Sequence, residues 1–352
     1  MSGRFSRRQV LKGGLLASAG LAAGSSLAGC GGDDDGVVFA SYGGAYQEAQ
    51  TKAWVEPFME ANPGIRVVQD SPTDYAKLEA MARIGNIMWD LVDTGADYGL
   101  GPTTDNLVKL DCSRVPCSEL QPKRLVTTGY RVPVITYSNV IGYRTDKFGG
   151  RKPSTYEDFF DLKRFPGPRS IASIASNGST FEVALLADGV RPRDLYPIDV
   201  DRALKKLDTI KSSLVYWETG EQSAQLVADG QAVMGTSWNG RVYDYAKEDA
   251  PVDIMWSQHF LTADYLVIPK NAKNVEAATR LCAYMVAADN SARISEYITY
   301  GPTNINALDK VNDKIRPFLA TTHLKTALSL DDEWWAANLT SVEQKFQTWR
   351  SA

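Results

Sequence analysis

Residues 130–143 read YRVPVITYSNVIGY, and residues 261–269 read LTADYLVIP. Both runs are rich in β-branched and aromatic residues and lack helix punctuation, so each reads as a long strand. What surrounds them gives them their meaning. Before the first come VVFA (37–40), IRVVQ (65–69) and WDLVDTG (89–95) as strands. They alternate with QEAQTKAWVEPFMEANPG, helical through Ala49, Ala53, Trp54 and Phe58 and stopped at Asn62-Pro63-Gly64, and with KLEAMARIG. Between the two runs lies a second such set: strands IASIA, LVYW and QAVMGTSW, with helices STFEVALLADG (ended by Gly189), VDRALKKLDTIK and SAQLVADG. After them come the helix EAATRLCAYMVA and a terminal helix with Trp335, Leu339, Val342, Phe346 and Trp349 on one face. Alternating strand and helix patterns predict α/β units with mostly parallel sheets flanked by helices. Two such units joined by two extended crossings predict a two-lobed α/β protein with a hinge and a cleft. Ligand sites in such sheets lie beyond the carboxyl ends of the strands, where SYGGAY, TGADYG and FLTADY fall.

Asp264 interrupts the second crossing. A carboxylate in so apolar a run costs several kcal/mol unless something satisfies it, of order the penalty for an unpaired buried charge. A backbone amide, a fixed arginine such as Arg241, or a cationic guest would each serve.

The chain begins MSGRFSRRQVLKGGLLASAGLAAGSSLAGC. A basic segment with paired Arg7 and Arg8, then a short glycine-rich apolar run, reads as an export signal rather than a membrane span. SRRQVLK resembles a twin-arginine signal, and LAGC at 27–30 resembles a lipoprotein cleavage site. Residues 1–29 are thus expected to be the signal, Cys30 the lipidated mature N-terminus, and 30–36 a tether. The expected location is the periplasm or the outer face of the cytoplasmic membrane. Removing residues 1–29 takes away four basic residues and no acids, leaving 34 basic against 42 acidic. That balance argues against nucleic acid as a partner. Cys112 and Cys117 are spaced to pair in an oxidising compartment, and Cys282 lies on an apolar helical face. His259 and His323 are the only histidines, and no G-x-S-x-G, P-loop or dinucleotide glycine pattern occurs. A binding protein without cofactor is therefore expected, not an enzyme.

Five stretches in order, SYGGAYQEAQTKAWVEPF, WDLVD, GTSWNGRVYD, ADYLVIPKNAKN and YGPTN, resemble the spermidine/putrescine-binding family of bacterial ABC importers. The similarity runs with gaps over roughly residues 37–350. It implies the type II periplasmic-binding-protein fold, a ligand clamped between lobes, and delivery to a membrane permease with a cytoplasmic ATPase. It also implies a monomeric receptor, with lobes expected at 37–141 plus 265–309 and at 142–264 plus 310–352.

In that family carboxylates hold the ligand's ammonium groups and aromatic rings face its methylene chain, a division of labour that suits a polyamine. The resemblance places Asp264 and Glu182 as amine-binding acids, Trp238 as a wall, and Tyr42, Tyr46 and Tyr300 as further cleft aromatics. Glu182 has a second reading, since Ser179-x-x-Glu182 fits a capping box. The sequence departs from the family pattern where a second gripping aspartate becomes Ser179. A serine/tyrosine pair there falls on Gly95 and Asp97, so Asp97 is a candidate for the lost charge. A polyamine such as putrescine or spermidine is the first expectation for the ligand. A zwitterionic amine (an amino acid, γ-aminobutyrate or an opine) is the alternative, with the glycines of SYGGAY and Arg241 available to a carboxylate.

Overall fold

A computed structural model describes residues 36–352 apart from 124, 125, 127, 128 and 177. The signal sequence and the lipidation site at Cys30 lie outside the described residues. The strands are β1 (Val37–Ala40), β2 (Val67–Asp70), β3 (Leu91–Thr94), β4 (Arg131–Arg144), β5 (Arg169–Ala172), β6 (Leu214–Trp217), β7 (Met234–Trp238), β8 (Val252–Val267), β9 (Gly301–Pro302) and β10 (Ala327–Ser329). Their order in the sheet is β2-β1-β3-β8-β4-β7-β5-β6, with β9 on β4 and β10 on β8. The outer triads β2-β1-β3 and β7-β5-β6 are parallel, a pairing that needs the crossover connections the intervening helices supply. The two long strands at the centre run antiparallel to each other and to β3, β7 and β9, while β10 runs parallel to β8.

These central strands are the two runs singled out in the sequence, and each changes core along its length. The first half of β4 (Val132, Val134, Ile135) packs with Phe39, Trp54, Trp89 and Leu281, whereas Ile141 and Tyr143 pack with Phe165, Phe181, Met234 and Phe346. Strand β8 does the same in reverse, with Met255 and Phe260 in the second core and Leu266 and Val267 in the first. Two cores joined by continuous strands make the two-lobed α/β fold. The β4–β8 register shifts between Pro133 and Ile135 and again between Asn139 and Ile141. Proline has no N–H for the ladder, so a bulge beside Pro133 is expected on chemical grounds.

The helices follow local chemistry. Asp74 caps Tyr75–Ile84 by accepting from the Lys77 amide at 3.0 Å, and Gly85 closes it at φ 69°. The terminal helix Asp332–Ser351 lays Trp335, Val342 and Phe346 into the second core. Four features differ from the sequence expectation. The segment read as one regular helix after SYGGAY widens into a π-turn at Thr51–Val55. Strand β8 begins at Val252, nine residues before the quoted run, because Val252, Ile254 and Met255 also face cores. Trp238-Asn239-Gly240, in a stretch to which the sequence assigns no helix, ends β7 and starts the helix Asn239–Ala246. A further helix, Ala288–Tyr297, had no distinct signal. Cys112 and Cys117 are joined, with Cα atoms 5.4 Å apart, and Cys282 is buried as a thiol.

Candidate functional site

A cleft of about 470 Å³ opens where the loops after β1 and β3, the middles of β4 and β8, and the start of Thr180–Ala187 converge. All seven residues singled out from the sequence line it: Tyr42, Tyr46, Asp97, Glu182, Trp238, Tyr300 and Asp264. Tyr75, Tyr137, Asn139, Arg241, Thr262, Asp332 and Trp335 join them. Strand periodicity explains part of the set. Tyr137 and Asn139 share one face of β4, and Thr262 and Asp264 share one face of β8.

The aromatic residues form a connected wall. Tyr300 meets Tyr46 edge-on at 5.6 Å between centroids and Tyr137 at 5.5 Å, and Tyr137 meets Trp238 edge-on at 6.4 Å. Two glycines make room for it. A Cβ on Gly220 would stand 2.3 Å from Cζ3 of Trp238, and one on Gly240 would stand 2.9 Å from Cε1 of Tyr300. At the wall's outer edge the Tyr42 and Tyr75 hydroxyls are 3.2 Å apart, and Tyr75 donates to Asp97 at 3.1 Å. Asp97 itself is exposed.

Asp264 is 7% exposed and sits mid-strand, where it caps no turn. It does not pair with Arg241, whose Nη1 instead lies 3.7 Å from Glu221. Burial, and then the neighbouring charge of Asp93, drive its carboxyl pKa well above the ordinary value, while a hydrogen bond from Tyr137 partly offsets them. Asp93 had not been singled out. It lies opposite Leu266 in the β3–β8 ladder, so it shares a sheet face with Asp264 and is its diagonal neighbour. Oδ2 of Asp93 accepts from Tyr46 at 2.9 Å and from Gln50 at 2.5 Å, whereas Oδ1 is buried with no partner. Burial raises its pKa to about 7 despite those two donors.

Glu182 is wholly buried yet differently placed. Its Oε1 accepts from Tyr196 at 2.7 Å and from Trp335 Nε1 at 2.6 Å, and burial still raises its pKa. The capping box does not form. Gly178 (φ 70°) and Ser179 (φ 54°) take left-handed conformations, so the Ser179 hydroxyl accepts from Asn139 at 2.7 Å instead of capping the helix. Gly178 is required there, because a Cβ would lie 2.8 Å from Thr236 Oγ1. Arg241 completes the charge pattern. It stands one helical turn past Trp238, and its Nε is buried without a partner. Asp332, near the opposite rim, sits 3.5 Å from Arg131 and titrates at about 6, raised by burial and lowered again by that guanidinium.

Residues 53–320 match the family model described as bacterial extracellular solute-binding protein. A γ-aminobutyric acid-binding protein of Pseudomonas aeruginosa is 31% identical over 318 residues, covering 88% of this chain and 89% of the relative. A solved γ-aminobutyrate receptor superposes with a TM-score of 0.83 at 38% identity, over 89% of this chain and 97% of that one. The spermidine/putrescine-binding periplasmic protein of Salmonella typhimurium is 25% identical over 306 residues, covering 83% and 84%.

Proposed function

Because the chain belongs to the bacterial extracellular solute-binding protein family, we propose that its ligand is a zwitterionic amine of the γ-aminobutyrate type. The protein is the solute-binding component of an ABC importer, a receptor and not an enzyme. The ligand's ammonium faces Asp264, its methylene chain crosses the Tyr137, Tyr300 and Trp238 wall, and its carboxylate meets Arg241. The observation that carries this reading is that Arg241 and Asp264 line one cleft, opposite charges without each other as partners. A planar guanidinium with unsatisfied N–H groups suits a carboxylate. The similarity to γ-aminobutyrate-binding proteins points the same way.

Closure follows from the geometry. A guest that touches Asp264 on β8, the β3 loop and Arg241 binds more tightly to a state that brings those elements together, so it shifts the population toward that state. The closed form then docks on the permease as a monomer, held near the membrane by a lipid on Cys30. Lobes at 37–141 plus 265–309 and 142–264 plus 310–352 move about β4 and β8.

A polyamine is the second reading. Asp264, Asp97 and Asp332 give the cleft more acids than Arg241 balances. Titration calorimetry with γ-aminobutyrate, putrescine and spermidine separates the two. The zwitterion reading expects γ-aminobutyrate to bind, and Arg241→Ala to weaken it by about 2 kcal/mol, the scale of a lost charge-assisted contact. Binding of putrescine alone, with Arg241→Ala neutral or favourable, would make the polyamine the ligand.

A further inference from the structure

Asp93 is wholly buried and is not among the residues that line the cleft, and the proposed function gives it no role. Both carboxylates lie on one sheet face as diagonal neighbours, and both are buried. Among the described residues neither has an ion-pair partner: Arg131 is with Asp332 and Arg241 is with Glu221. What surrounds them is almost wholly neutral. Tyr46 and Gln50 come from the helix Gly44–Gln50 and its N-terminal loop adds Tyr42. Strand β4 adds Tyr137 and the segment before β9 adds Tyr300. Tyr75 and Asp97 complete the rim, and Asp97 brings another negative charge. Two neighbouring buried carboxylates with no cation paired to either do not both ionise, because the second charge would be desolvated and repelled at once. A ligand ammonium supplies the missing positive charge.

We propose that Asp93 and Asp264 share one proton in the free protein and that the ligand's ammonium group displaces it, so that binding releases a proton. Asp93 is then a positioning residue. It never touches the ligand, and it makes the ammonium subsite a proton-for-cation exchanger. No bond other than the carboxyl O–H breaks, and the proton leaves to solvent. This deepens the function proposed above and rests on an amine as guest. The consequence is that affinity for the amine rises tenfold per pH unit over the range in which the free pair holds its proton.

Two measurements on the purified protein decide it. The first needs no ligand: infrared spectroscopy at pH 7 should show the C=O stretch of a protonated carboxylic acid that is absent from Asp93→Asn/Asp264→Asn. No such difference overturns the proton-sharing pair, whatever the ligand proves to be. The second is calorimetry with γ-aminobutyrate and with putrescine at pH 7, in buffers of low and high ionisation enthalpy. The expected result is release of about one proton per amine bound, falling toward none in Asp93→Asn while some affinity remains. Binding with no proton release in the wild type would refute the exchange but leave the amine receptor intact. If neither probe binds, the amine reading fails and the infrared result still decides the proton.

Discussion

Two buried carboxylates line the same cleft, and their surroundings are opposites. Glu182 sits at the start of a helix in the second lobe's core, with a phenol and an indole donating to one oxygen. Asp264 sits on a crossing strand with another acid behind it and one tyrosine beside it. By residue type and burial alone they are equivalent candidates. Counting donors separates them in part: Oε1 of Glu182 has two donors from the fold and Oε2 has none, while Asp264 has Tyr137 alone. The carboxylate with more donors from the fold is the more structural of the two, and the one with fewer has more room for a visitor.

The sharpest way to break this contrast is to remove each charge in turn. Asp264→Asn is expected to weaken amine binding by at least 100-fold, on the order of 3 kcal/mol, while the free protein melts no lower and gains if anything. Calorimetry and thermal melts on the same samples would check both halves. Glu182→Ala should show the reverse. It leaves Tyr196 and Trp335 with buried unpaired donors, so denaturant unfolding should lose roughly 2–4 kcal/mol, while affinity changes only a few-fold. A Glu182 variant that folds normally but does not bind would erase the distinction.

A pH series sharpens it further. Asp93 titrates at about 7 in the folded protein, above its ordinary carboxylate value. A group whose folded pKa is raised adds stability at low pH and loses it as pH climbs through the folded value. The ligand-free protein should thus melt higher at pH 5 than at pH 7.5, with a shallower slope in Asp93→Asn. Glu182, Asp264 and Asp332 share the direction, so the difference between wild type and the Asp93 variant, and not the wild-type curve, assigns the effect. The smallest effect is expected from Gly240→Ala, whose added methyl must push Tyr300 aside. Affinity should fall several-fold, about 1 kcal/mol, with a modest loss of stability.

Much of this was legible in the residues. The two long crossings stood out because fourteen- and nine-residue runs without helix punctuation have few other fates in an α/β chain. Asp264 stood out because burial of a lone acid needs an explanation. The same reasoning applied to WDLVD would have found Asp93, an acid inside a four-residue strand buried throughout. Tyr137 was also within reach, being two residues from Asn139 on a strand already assigned. The partners of Glu182 were not, since Tyr196 and Trp335 lie 14 and 153 residues away. Nor was the failed capping box: Ser179-x-x-Glu182 has the right letters, but Gly178 turns the backbone left-handed so that Ser179 serves Asn139 instead. A local motif holds only where tertiary contacts leave the backbone free to adopt it.

The crossing strands β4 and β8 have a consequence for how such a receptor changes its taste. Tyr137, Asn139, Thr262 and Asp264 sit on the same strands that join the two cores, close to the bulge between Asn139 and Ile141. On the closure proposed above, the lock is cut into the hinge. Substituting any of these four to admit a new solute also alters the stiffness of the joint and hence the resting balance between open and closed forms. Selection for a new ligand therefore has freer play at Tyr42, Asp97, Trp238 and Arg241, which stand on loops, at a strand end or on a helix. Lineages that diverge in diet should vary first at those positions and last along the crossings.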